Sequence, residues 1–535
     1  METQKLGNAS RPLNGFSRRD LLQKGGALAA LMGASGGAPG SVAEAATSAA
    51  GSNPYEAIGV RPLVNCRGTF TIISGSLSLP EVKHAMEEAS RHYVDLDELM
   101  EAVGKRLAEL TQADWGIVTA GCAAAMTHMT SACIAGSDPE KMQRLPRLEG
   151  MKNEVVIPAY SRNVYDHAIR MLGVKIVEVH KPEELEDAFN ERTAMVYILA
   201  GPGDDGPLGT QAISAVARRR HVPVMVDAAA EILTIPNIHL QRGATVVGYS
   251  GGKCLRGPQC AGLLLGDKNL LQAAWANSAP HHAFGRSLKV GKEEIMGMLA
   301  AVDMWTKRDH KAEWAQWQGW LDNISSHVTK VAGVTTKVRQ PDSLSNHAPV
   351  LEIEWDGEKL GITGREVAKV LLDGEPRIAL AGSRGMRPHP MASSVSVMPY
   401  MMMPGDDRIA AEHLYAVLSK PPKFENPPEP SGETASVDGR WDARVDFLRG
   451  SADHVITFEQ KGKSLVGTHQ MEWLTGDLHG SVTANKVEFR AAHHYEGQEL
   501  HYQFQGTVNG DHIDGDVNMG EYGPAKWSAQ RHKYV

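Results

Sequence analysis

Short apolar segments alternate with helical segments between residues 115 and 266, and this alternation constrains the fold more than any other feature. The segments are too short for helices, whereas the stretches between them carry apolar residues at helical spacing. Strands that alternate with helices predict an α/β domain with a mostly parallel sheet covered on both faces. The predicted strands lie near residues 117–119, 154–158, 175–179, 194–200, 222–227, 245–249 and 262–266.

A lysine lies among glycines in Tyr249–Gln259, and Asp227 ends an apolar segment upstream of it. Because both follow strands, they are expected at the carboxyl edge of the sheet, where functional loops lie in such folds. A partly desolvated lysine can form a Schiff base with an aldehyde cofactor, and a buried carboxylate can pair with a protonated pyridine nitrogen. Lys253 and Asp227 therefore predict a pyridoxal phosphate site. The alternative is a surface lysine and a helix-capping aspartate.

A second loop fits the phosphate of that cofactor. Residues 117–126 predict a short strand that passes through a glycine turn at Gly121 into an alanine-rich helix. The N-terminus of such a helix presents free N–H groups and a partial positive charge. Simple packing of small residues is the alternative interpretation of this pattern.

Cationic side chains in other loops are candidates for contact with substrate or with a partner subunit. Arg286 and Lys289 belong to a basic loop that could bind an anionic substrate or a neighbouring subunit's cofactor phosphate, or could simply be solvated. A guanidinium can also pair in bidentate fashion with a substrate carboxylate. The candidates retained are Arg162, Arg286, Lys289 and Arg387.

The N-terminus resembles an export signal. Arg18 and Arg19 form a twin-arginine pattern, a weakly apolar Gly/Ala stretch follows, and Ala43-Glu44-Ala45 offers a cleavage site. This predicts a periplasmic or other extracytoplasmic protein exported by the twin-arginine route. A disordered basic tail is the alternative. The five cysteines are an odd number, which argues against a disulfide framework.

Beyond a Pro-rich segment the pattern changes to period two. Apolar and polar residues alternate from Trp441 onward and glycine turns recur, which predicts about eight antiparallel strands in a small barrel or sandwich. Histidines in this region, including His493 and His494, show no metal-ligand spacing. Exposed strand histidines are therefore predicted, and no metal site.

Five segments are predicted, and composition excludes two classes of partner. A net charge of −8 gives no indication of a nucleic-acid-binding face, and no apolar run is long enough for a membrane span. The segments are the export signal (1–45), the large cofactor-binding domain with its N-terminal arm (53–325), a small α/β subdomain (326–420), the Pro-rich linker (421–439) and the β-rich domain (440–535).

Five motifs occur in order across about two thirds of the chain. They are Arg61-Pro-Leu-Val-Asn65-Cys-Arg-Gly-Thr69, Thr119-Ala-Gly-Cys-Ala-Ala-Ala125, Val226-Asp-Ala-Ala-Ala-Glu231, Ser250-Gly-Gly-Lys-Cys-Leu-Arg-Gly-Pro-Gln259 and Gly285-Arg-Ser-Leu-Lys-Val-Gly-Lys-Glu293. With these motifs the chain resembles the selenocysteine synthase (L-seryl-tRNA(Sec) selenium transferase) and D-glucosaminate-6-phosphate ammonia lyase group of fold type I pyridoxal phosphate enzymes.

The resemblance implies a fold type I transferase fold and a role for each matching residue. Lys253 would form the Schiff base and act as acid and base at the substrate α-carbon, and Asp227 would keep the pyridine nitrogen protonated. It also implies a homodimer or higher oligomer with sites at subunit interfaces. The phosphate would be bound by Ser250 and by the backbone N–H groups of Gly121, Cys122 and Ala123.

These observations predict an exported pyridoxal phosphate enzyme that acts at the α-carbon of an amino acid or amino sugar, most simply by α,β-elimination. A β-replacement transferase and an amino acid racemase are alternatives. No tRNA partner is expected, because an export signal occupies the place of the tRNA-binding region. An alternative of another class is an inactive binding protein that works through its β-rich domain, which could bind a cell-envelope ligand.

Overall fold

The structure is a computed structural model that describes residues 53–387, 389–426 and 430–534. The predicted export signal, residues 1–45, lies outside the described residues. Of the residues before Leu63, the structure describes 53–62, and these contain one short 3-10 helix, Glu56–Ile58. Among the helices that the structure describes, none combines the length and apolar character needed to cross a membrane.

The strands described before the Pro-rich segment form three sheets, of seven, four and two strands. In chain order they are β1 (Leu63–Cys66), β2 (Trp115–Thr119), β3 (Glu154–Pro158), β4 (Lys175–Val179), β5 (Thr193–Leu199), β6 (Val224–Asp227), β7 (Val246–Ser250), β8 (Gly262–Gly266), β9 (Thr335–Arg339), β10 (Val350–Asp356), β11 (Arg377–Leu380), β12 (Gly382–Met386) and β13 (His389–Val397).

The seven-stranded sheet forms the centre of the large domain, in the order β2-β8-β7-β6-β5-β3-β4. Strands β3 to β7 run parallel, and β8 is antiparallel to both of its neighbours. Its central strands are almost fully buried, as expected for apolar strands that are covered on both faces. The predicted mostly parallel sheet is confirmed, and β6 and β7 place Asp227 and Ser250 at neighbouring carboxyl ends.

Helices cover this sheet and connect it to the small subdomain. They are α1 (Pro80–Ser90), α2 (Leu96–Thr111), α3 (Gly121–Ala135), α4 (Pro139–Arg144), α5 (His167–Arg170), α6 (Thr210–Arg219), α7 (Ile238–Gln241), α8 (Lys268–Ala276), α9 (Lys292–Lys307), α10 (His310–Val328), α11 (Gly357–Leu360), α12 (Gly364–Asp373) and α13 (Asp406–Ser419).

In two places the sequence pattern predicts a longer helix than the structure contains. The pattern from Glu293 to about Ile324 is helical, but the structure has two helices there, because Asp309 accepts hydrogen bonds from two backbone N–H groups and begins α10 as its N-cap. The sequence from Tyr160 onward also predicts a helix, but the structure has a pair of 3-10 turns before α5. Asn163 lies between these turns and caps the second through the N–H of Tyr165.

The small subdomain contains the four-stranded sheet β12-β13-β10-β9. Its core includes apolar residues of β10, α10, α12 and α13. A further link to the N-terminal part comes from β1, which pairs in parallel with β11. Residues that follow β1 are thereby held near the small subdomain.

The β-rich domain is a closed eight-stranded barrel in which each strand is antiparallel to the next and the last pairs with the first. A barrel of this size is just wide enough for side chains to fill, and Phe489 and Phe504 stack inside it with ring centroids 4.6 Å apart. Of the two predicted alternatives, a barrel and a sandwich, the structure shows the barrel. Its strands are β14 (Gly439–Asp446), β15 (Ser451–Lys461), β16 (Ser464–Gln470), β17 (Thr475–Thr483), β18 (Lys486–Tyr495), β19 (Gln498–Asn509), β20 (His512–Asn518) and β21 (Pro524–Arg531).

Three histidines form a hydrogen-bonded row inside the barrel. His469 Nδ1 lies 2.9 Å from His493 Nε2, and His469 Nε2 lies 2.9 Å from His454 Nδ1. The prediction of exposed strand histidines is wrong for these three, because they occupy inward positions of their strands and are buried. The nitrogens bond to each other in series, and the part of the chain that the structure describes contains no side-chain cluster suited to a metal ion.

We expect the barrel to lose stability as the pH falls from 6.5 towards 4. Burial lowers the pKa of His454 from 6.5 to about 4 and that of His469 to about 2, and it also lowers the pKa of His493. In this window the unfolded chain binds more protons than the folded barrel, so acid favours unfolding. Amide hydrogen exchange of barrel peptides, measured as a function of pH, tests this expectation.

The exposed His479 provides a control for that measurement. His479→Gln is expected to keep the acid sensitivity, whereas His469→Gln should reduce the dependence of barrel exchange on pH beyond the intrinsic chemical rate. Barrel protection that is the same at about pH 7 and about pH 5 would contradict the expectation.

Candidate active site

Asp227 ends β6 at the carboxyl edge of the large sheet and is 3% exposed. The hydroxyl of Tyr197 donates to its Oδ2 at 2.9 Å, and the thiol of Cys122 donates to Oδ1 at 3.4 Å. The backbone N–H of Ala229 also donates to Oδ1, at 3.0 Å. These donors fix the orientation of the carboxylate in the sheet edge.

Both side-chain donors stay protonated in this environment. Burial raises the pKa of the Cys122 thiol and the charge of Asp227 raises it further, while the ammonium of Lys253 acts in the opposite direction. Burial and the same carboxylate raise the pKa of Tyr197. A protonated thiol and a protonated hydroxyl can act only as donors towards Asp227, so both hold its carboxylate in place.

Lys253 follows β7 in a compact loop and is half-buried. Its Nζ makes no hydrogen bond or ion pair with any residue that the structure describes, which leaves the amine available. The loop requires the glycines that precede it, because a Cβ on Gly251 would lie 2.9 Å from the carbonyl oxygens of Pro258 and Ala261. A lysine beside Asp227 and Cys122 without a fixed partner is suited to a covalent role.

Arg308 lies in the break between α9 and α10 and contacts the loop that contains Lys253. Its Nη1 donates to the carbonyl oxygen of Cys254 at 3.1 Å. Its remaining guanidinium nitrogens pair with both carboxylate oxygens of Glu313 at 2.7 and 2.9 Å. The helix break therefore places a fixed guanidinium against the residue next to Lys253.

The N-terminus of α3 provides an anion site at the same edge. Gly121 has a φ of 86°, and no side chain caps the first N–H groups of this 15-residue helix. A Cβ on Gly121 would meet only the carbonyl oxygen of Cys260, 4.0 Å away, so open space borders the turn. The hydroxyl of Ser250 has no hydrogen-bond partner among the described residues. Together they can accept a phosphate.

Three polar features thus lie around one edge of the sheet: uncapped N–H groups, a buried carboxylate and an unpaired lysine. Cys122 joins the first to the second, because it lies in the first turn of α3 and its thiol contacts Asp227. Phosphate, pyridine nitrogen and aldehyde are the matching groups of pyridoxal phosphate. The donor set fits that cofactor. The structure places at this edge the residues predicted for it from the sequence: Gly121, Cys122, Ala123, Asp227, Ser250 and Lys253.

An aromatic cavity of about 240 Å³ adjoins the lysine loop through Cys254. Trp305, Trp314 and Trp317 line it from α9 and α10, and Tyr400 lines it from the small subdomain. The Tyr400 hydroxyl lies 2.7 Å from the hydroxyl of Thr69 and donates to Asn346 at 3.0 Å. A predominantly apolar pocket that also carries several polar side chains, next to a reactive residue, is a common form of small-molecule site.

The other predicted residues are distributed differently. Arg286 and Lys289 are exposed, and no hydrogen bond or ion pair joins their charged groups to a described residue. Arg387 is engaged in the small subdomain, where its Nε pairs with Glu366 at 2.6 Å. Arg162 is nearly buried and pairs with carboxylates, among them Asp166 at 2.7 Å. The structure leaves Arg286 and Lys289 free to contact a ligand, and it commits Arg162 and Arg387 to ion pairs.

Tyr197, Asn163 and Arg308 were not among the site residues predicted from the sequence. Tyr197 is the one residue with a polar group in the middle of an otherwise apolar buried strand, which is a signal that could have been used. The Nδ2 of Asn163 donates to the Tyr197 hydroxyl at 3.0 Å, an association that has no local sequence pattern.

A buried histidine was missed as well. His239 lies between two carboxylates, with Nε2 2.6 Å from Glu231 and Nδ1 3.3 Å from Asp204. Burial alone would lower its pKa, but the hydrogen bonds and charges of these carboxylates raise it to about 9. His239 is therefore cationic at neutral pH and neutralises Glu231. Glu231 is the last residue of the Val226–Glu231 motif, which also contains Asp227.

Comparison with known proteins gives several relatives. The chain is 28% identical over 336 residues to D-glucosaminate-6-phosphate ammonia lyase of Salmonella typhimurium, a match that covers 60% of this chain and 88% of that protein. It is 30% identical over 343 residues to 5'-C-glycyluridine monooxygenase-decarboxylase of a Streptomyces species, which covers 61% and 83%. The L-seryl-tRNA(Sec) selenium transferase of Proteus mirabilis is 26% identical over 247 residues, covering 42% and 48%.

A solved structure of D-glucosaminate-6-phosphate ammonia lyase superposes with a TM-score of 0.61 at 26% identity. The match covers 69% of this chain and 98% of that one. No family model matches the chain.

Proposed function

Because this chain belongs to the family of fold type I pyridoxal phosphate enzymes represented by those relatives, we propose that it is an exported lyase that performs α,β-elimination on an amino acid or amino sugar. The observation that carries the proposal is the unpaired Lys253 next to Asp227 and the uncapped end of α3. Similarity to an ammonia lyase over 88% of that protein favours elimination over the alternatives.

Each residue of the site has a role in holding the cofactor. The first N–H groups of α3 and the Ser250 hydroxyl would bind its phosphate, and Asp227 would pair with its pyridine nitrogen. Tyr197 and Cys122 orient that carboxylate through hydrogen bonds of 2.9 and 3.4 Å. Lys253 would bind the aldehyde carbon, and the glycines before it let the loop pack tightly.

The chemistry that pyridoxal phosphate supplies when bound is the stabilisation of negative charge on the substrate carbon that bears the amine. Lys253 then serves as the base that removes the proton from this carbon and as the acid that delivers a proton to the leaving group. Lys253 can serve as both base and acid only if no carboxylate holds its amine in a permanent ion pair. The absence of a described partner for Nζ supports this assignment.

The aromatic cavity is proposed to receive the substrate. Its volume of about 240 Å³ suits a small amino compound, and the rings of Trp305, Trp314 and Trp317 offer flat apolar faces. Arg308 and Glu313 also line the cavity but neutralise each other, so the rings dominate recognition. This favours a substrate with an apolar or ring-shaped part over one that is charged throughout.

The test combines cofactor binding with product analysis. The purified protein is treated with borohydride in the presence of pyridoxal phosphate, and the modified peptide is identified by mass spectrometry. It is then screened against amino acids and amino sugars for release of ammonia and of a 2-oxo product. Modification at Lys253 with ammonia release supports a lyase; inversion at the α-carbon without ammonia indicates a racemase. A protein that binds no pyridoxal phosphate contradicts the proposal.

Export by the twin-arginine route is part of the proposal and rests on the Arg18-Arg19 motif with its downstream small residues. Residues 1–45 fused to a folded reporter are expected to deliver it across the cytoplasmic membrane of a twin-arginine-competent cell. Replacement of both arginines by lysine keeps the charge and is expected to retain the reporter in the cytoplasm. Equal export of both fusions argues against this route.

We also propose a homodimer or higher homo-oligomer in which the loop of Arg286 and Lys289 serves a neighbouring subunit. The support is their exposure without a described charge partner. Analytical ultracentrifugation of wild type and of the variant with Arg286→Ala and Lys289→Ala tests the assembly. A wild-type monomer at micromolar concentration contradicts it. A cell-envelope ligand for the barrel remains a prediction from sequence.

A further inference from the structure

The turn between β18 and β19 of the barrel contacts the large domain. Glu496 and Gly497 form the tip of this hairpin, where Tyr495 pairs with Gln498. Glu496 has a φ of 54°, a left-handed conformation in which glycine or asparagine is usual. A glutamate in this conformation is strained, and a strained residue suggests a use for its side chain.

The side chain of Glu496 binds Arg162 of the large domain. Arg162 Nη2 lies 2.5 Å from Glu496 Oε2, while its Nε pairs with Asp166 at 2.7 Å and its Nη1 pairs with Glu178. The arginine side chain is only 8% exposed, and Asp166 is fully buried. Each nitrogen of the guanidinium therefore has one carboxylate, and the barrel supplies one of the three.

At Gly497 the backbone of the turn packs against Asn163, the residue that follows Arg162 in the chain. A Cβ at position 497 would lie 2.6 Å from the Asn163 nitrogen and 2.6 Å from the Asp166 carboxylate. Such distances are shorter than any side chain tolerates, so only glycine permits this contact. The turn thus packs directly on the Arg162–Asp166 segment.

Asn163 connects this segment to the cofactor site. Its Oδ1 accepts the N–H of Tyr165, so its Nδ2 faces the other way and donates to the Tyr197 hydroxyl at 3.0 Å. The Tyr197 oxygen accepts that bond, and its proton is directed to Asp227 at 2.9 Å. Successive hydrogen bonds of this kind polarise one another, so the strength of the last depends on the first.

We propose that the β18–β19 turn is a structural part of the cofactor site, with Glu496 and Gly497 as positioning residues that hold Arg162 and Asn163 and thereby orient Tyr197 against Asp227. This inference rests on the proposed function, because it assigns Asp227 to the pyridine nitrogen. It gives the barrel a role within the enzyme itself, through contacts of residues 334 positions apart.

The test uses Glu496→Gln, which removes the charge and keeps the shape, and Gly497→Ala, which forces the turn away. Both variants are expected to bind pyridoxal phosphate about 3- to 10-fold more weakly than wild type. The pH midpoint of the visible absorption of the bound cofactor should rise, because a less protonated pyridine nitrogen withdraws less charge from the nitrogen of Lys253.

A second readout needs no cofactor. Amide hydrogen exchange of residues 161–170 in the cofactor-free protein should be faster in both variants. Glu488→Gln is the matched control, since Glu488 lies on the same hairpin, is exposed and makes no ion pair with a described residue. It is expected to behave as wild type in every measurement.

The outcomes separate the two proposals. Weaker binding, a raised midpoint and faster exchange in the two turn variants, with Glu488→Gln unchanged, support the inference. If wild type binds the cofactor and both turn variants match it in affinity, absorption and exchange, this inference is overturned and the proposed function stands. If wild type binds no cofactor, both are overturned.

Discussion

Replacing Lys253 by alanine is expected to reduce turnover by about 10³-fold or more and to abolish covalent retention of pyridoxal phosphate. The amine of Lys253 is the one unpaired base described beside Asp227 and Cys122, and a positioned acid or base contributes about 10²- to 10⁴-fold to a reaction. The measurement is kcat for ammonia release, together with borohydride trapping followed by peptide mapping.

Lys311→Ala is the control for this variant, because Lys311 is exposed on α10 and its ammonium has no described partner. It should retain wild-type turnover. Addition of a small primary amine is expected to restore part of the activity of Lys253→Ala and to leave Lys311→Ala unaffected. Full turnover by Lys253→Ala without added amine would exclude Lys253 as the base.

Replacing Asp227 by asparagine is expected to weaken cofactor binding and to lower kcat/KM, each by about 30-fold or more. Truncating one partner of a buried, hydrogen-bonded charge pair costs about 2 to 5 kcal/mol. Asparagine keeps the volume, but only its carbonyl oxygen can accept, so one of the hydrogen bonds from Tyr197 and Cys122 is lost together with the charge. Equilibrium binding followed by absorbance measures the first effect, and steady-state kinetics the second.

Asp322→Asn removes an exposed carboxylate of α10 that has no described contact and should change neither quantity. Asp227→Asn bound with wild-type affinity would mean that the pyridine nitrogen does not depend on this carboxylate. The cofactor would then have to lie in another orientation at the sheet edge.

The proximity of Lys253, Asp227 and the start of α3 could be predicted from the sequence. Their convergence follows from a general rule, since loops after parallel strands collect at one edge of the sheet. The barrel was also predictable, because inward and outward positions alternate along each of its strands. In both cases the periodic pattern is local and the long-range consequence is geometric.

Features that depend on strand register could not be read from the sequence. The burial of His454, His469 and His493 depends on which residue of each strand faces inward, and a shift of one position would expose them. The break before α10 depended on a single capping residue, Asp309, in a pattern that otherwise continues as a helix. Neither the burial of these histidines nor the helix break could be predicted without knowledge of the folded structure.

The polar chain from the barrel to Asp227 is the clearest case of information absent from local sequence. Asn163 and Tyr197 belong to different elements, and Glu496 lies in a different domain. Apart from the peptide bond between Arg162 and Asn163, each link is a single hydrogen bond or ion pair that no spacing rule encodes. Such contacts form only through tertiary packing. The same packing places Arg162, which was predicted to contact substrate or a partner subunit, in ion pairs within the structure.

Closure of the barrel has a consequence for the behaviour of the protein in concentrated solution. Since β14 pairs with β21, that sheet has no unpaired strand edge onto which another chain could add, and this removes one common route to aggregation. The large sheet does have edges, and the edge strand β4 carries Lys175 and Glu178, whose charges disfavour strand addition. The appended domain therefore adds bulk to the chain without adding an unpaired strand edge.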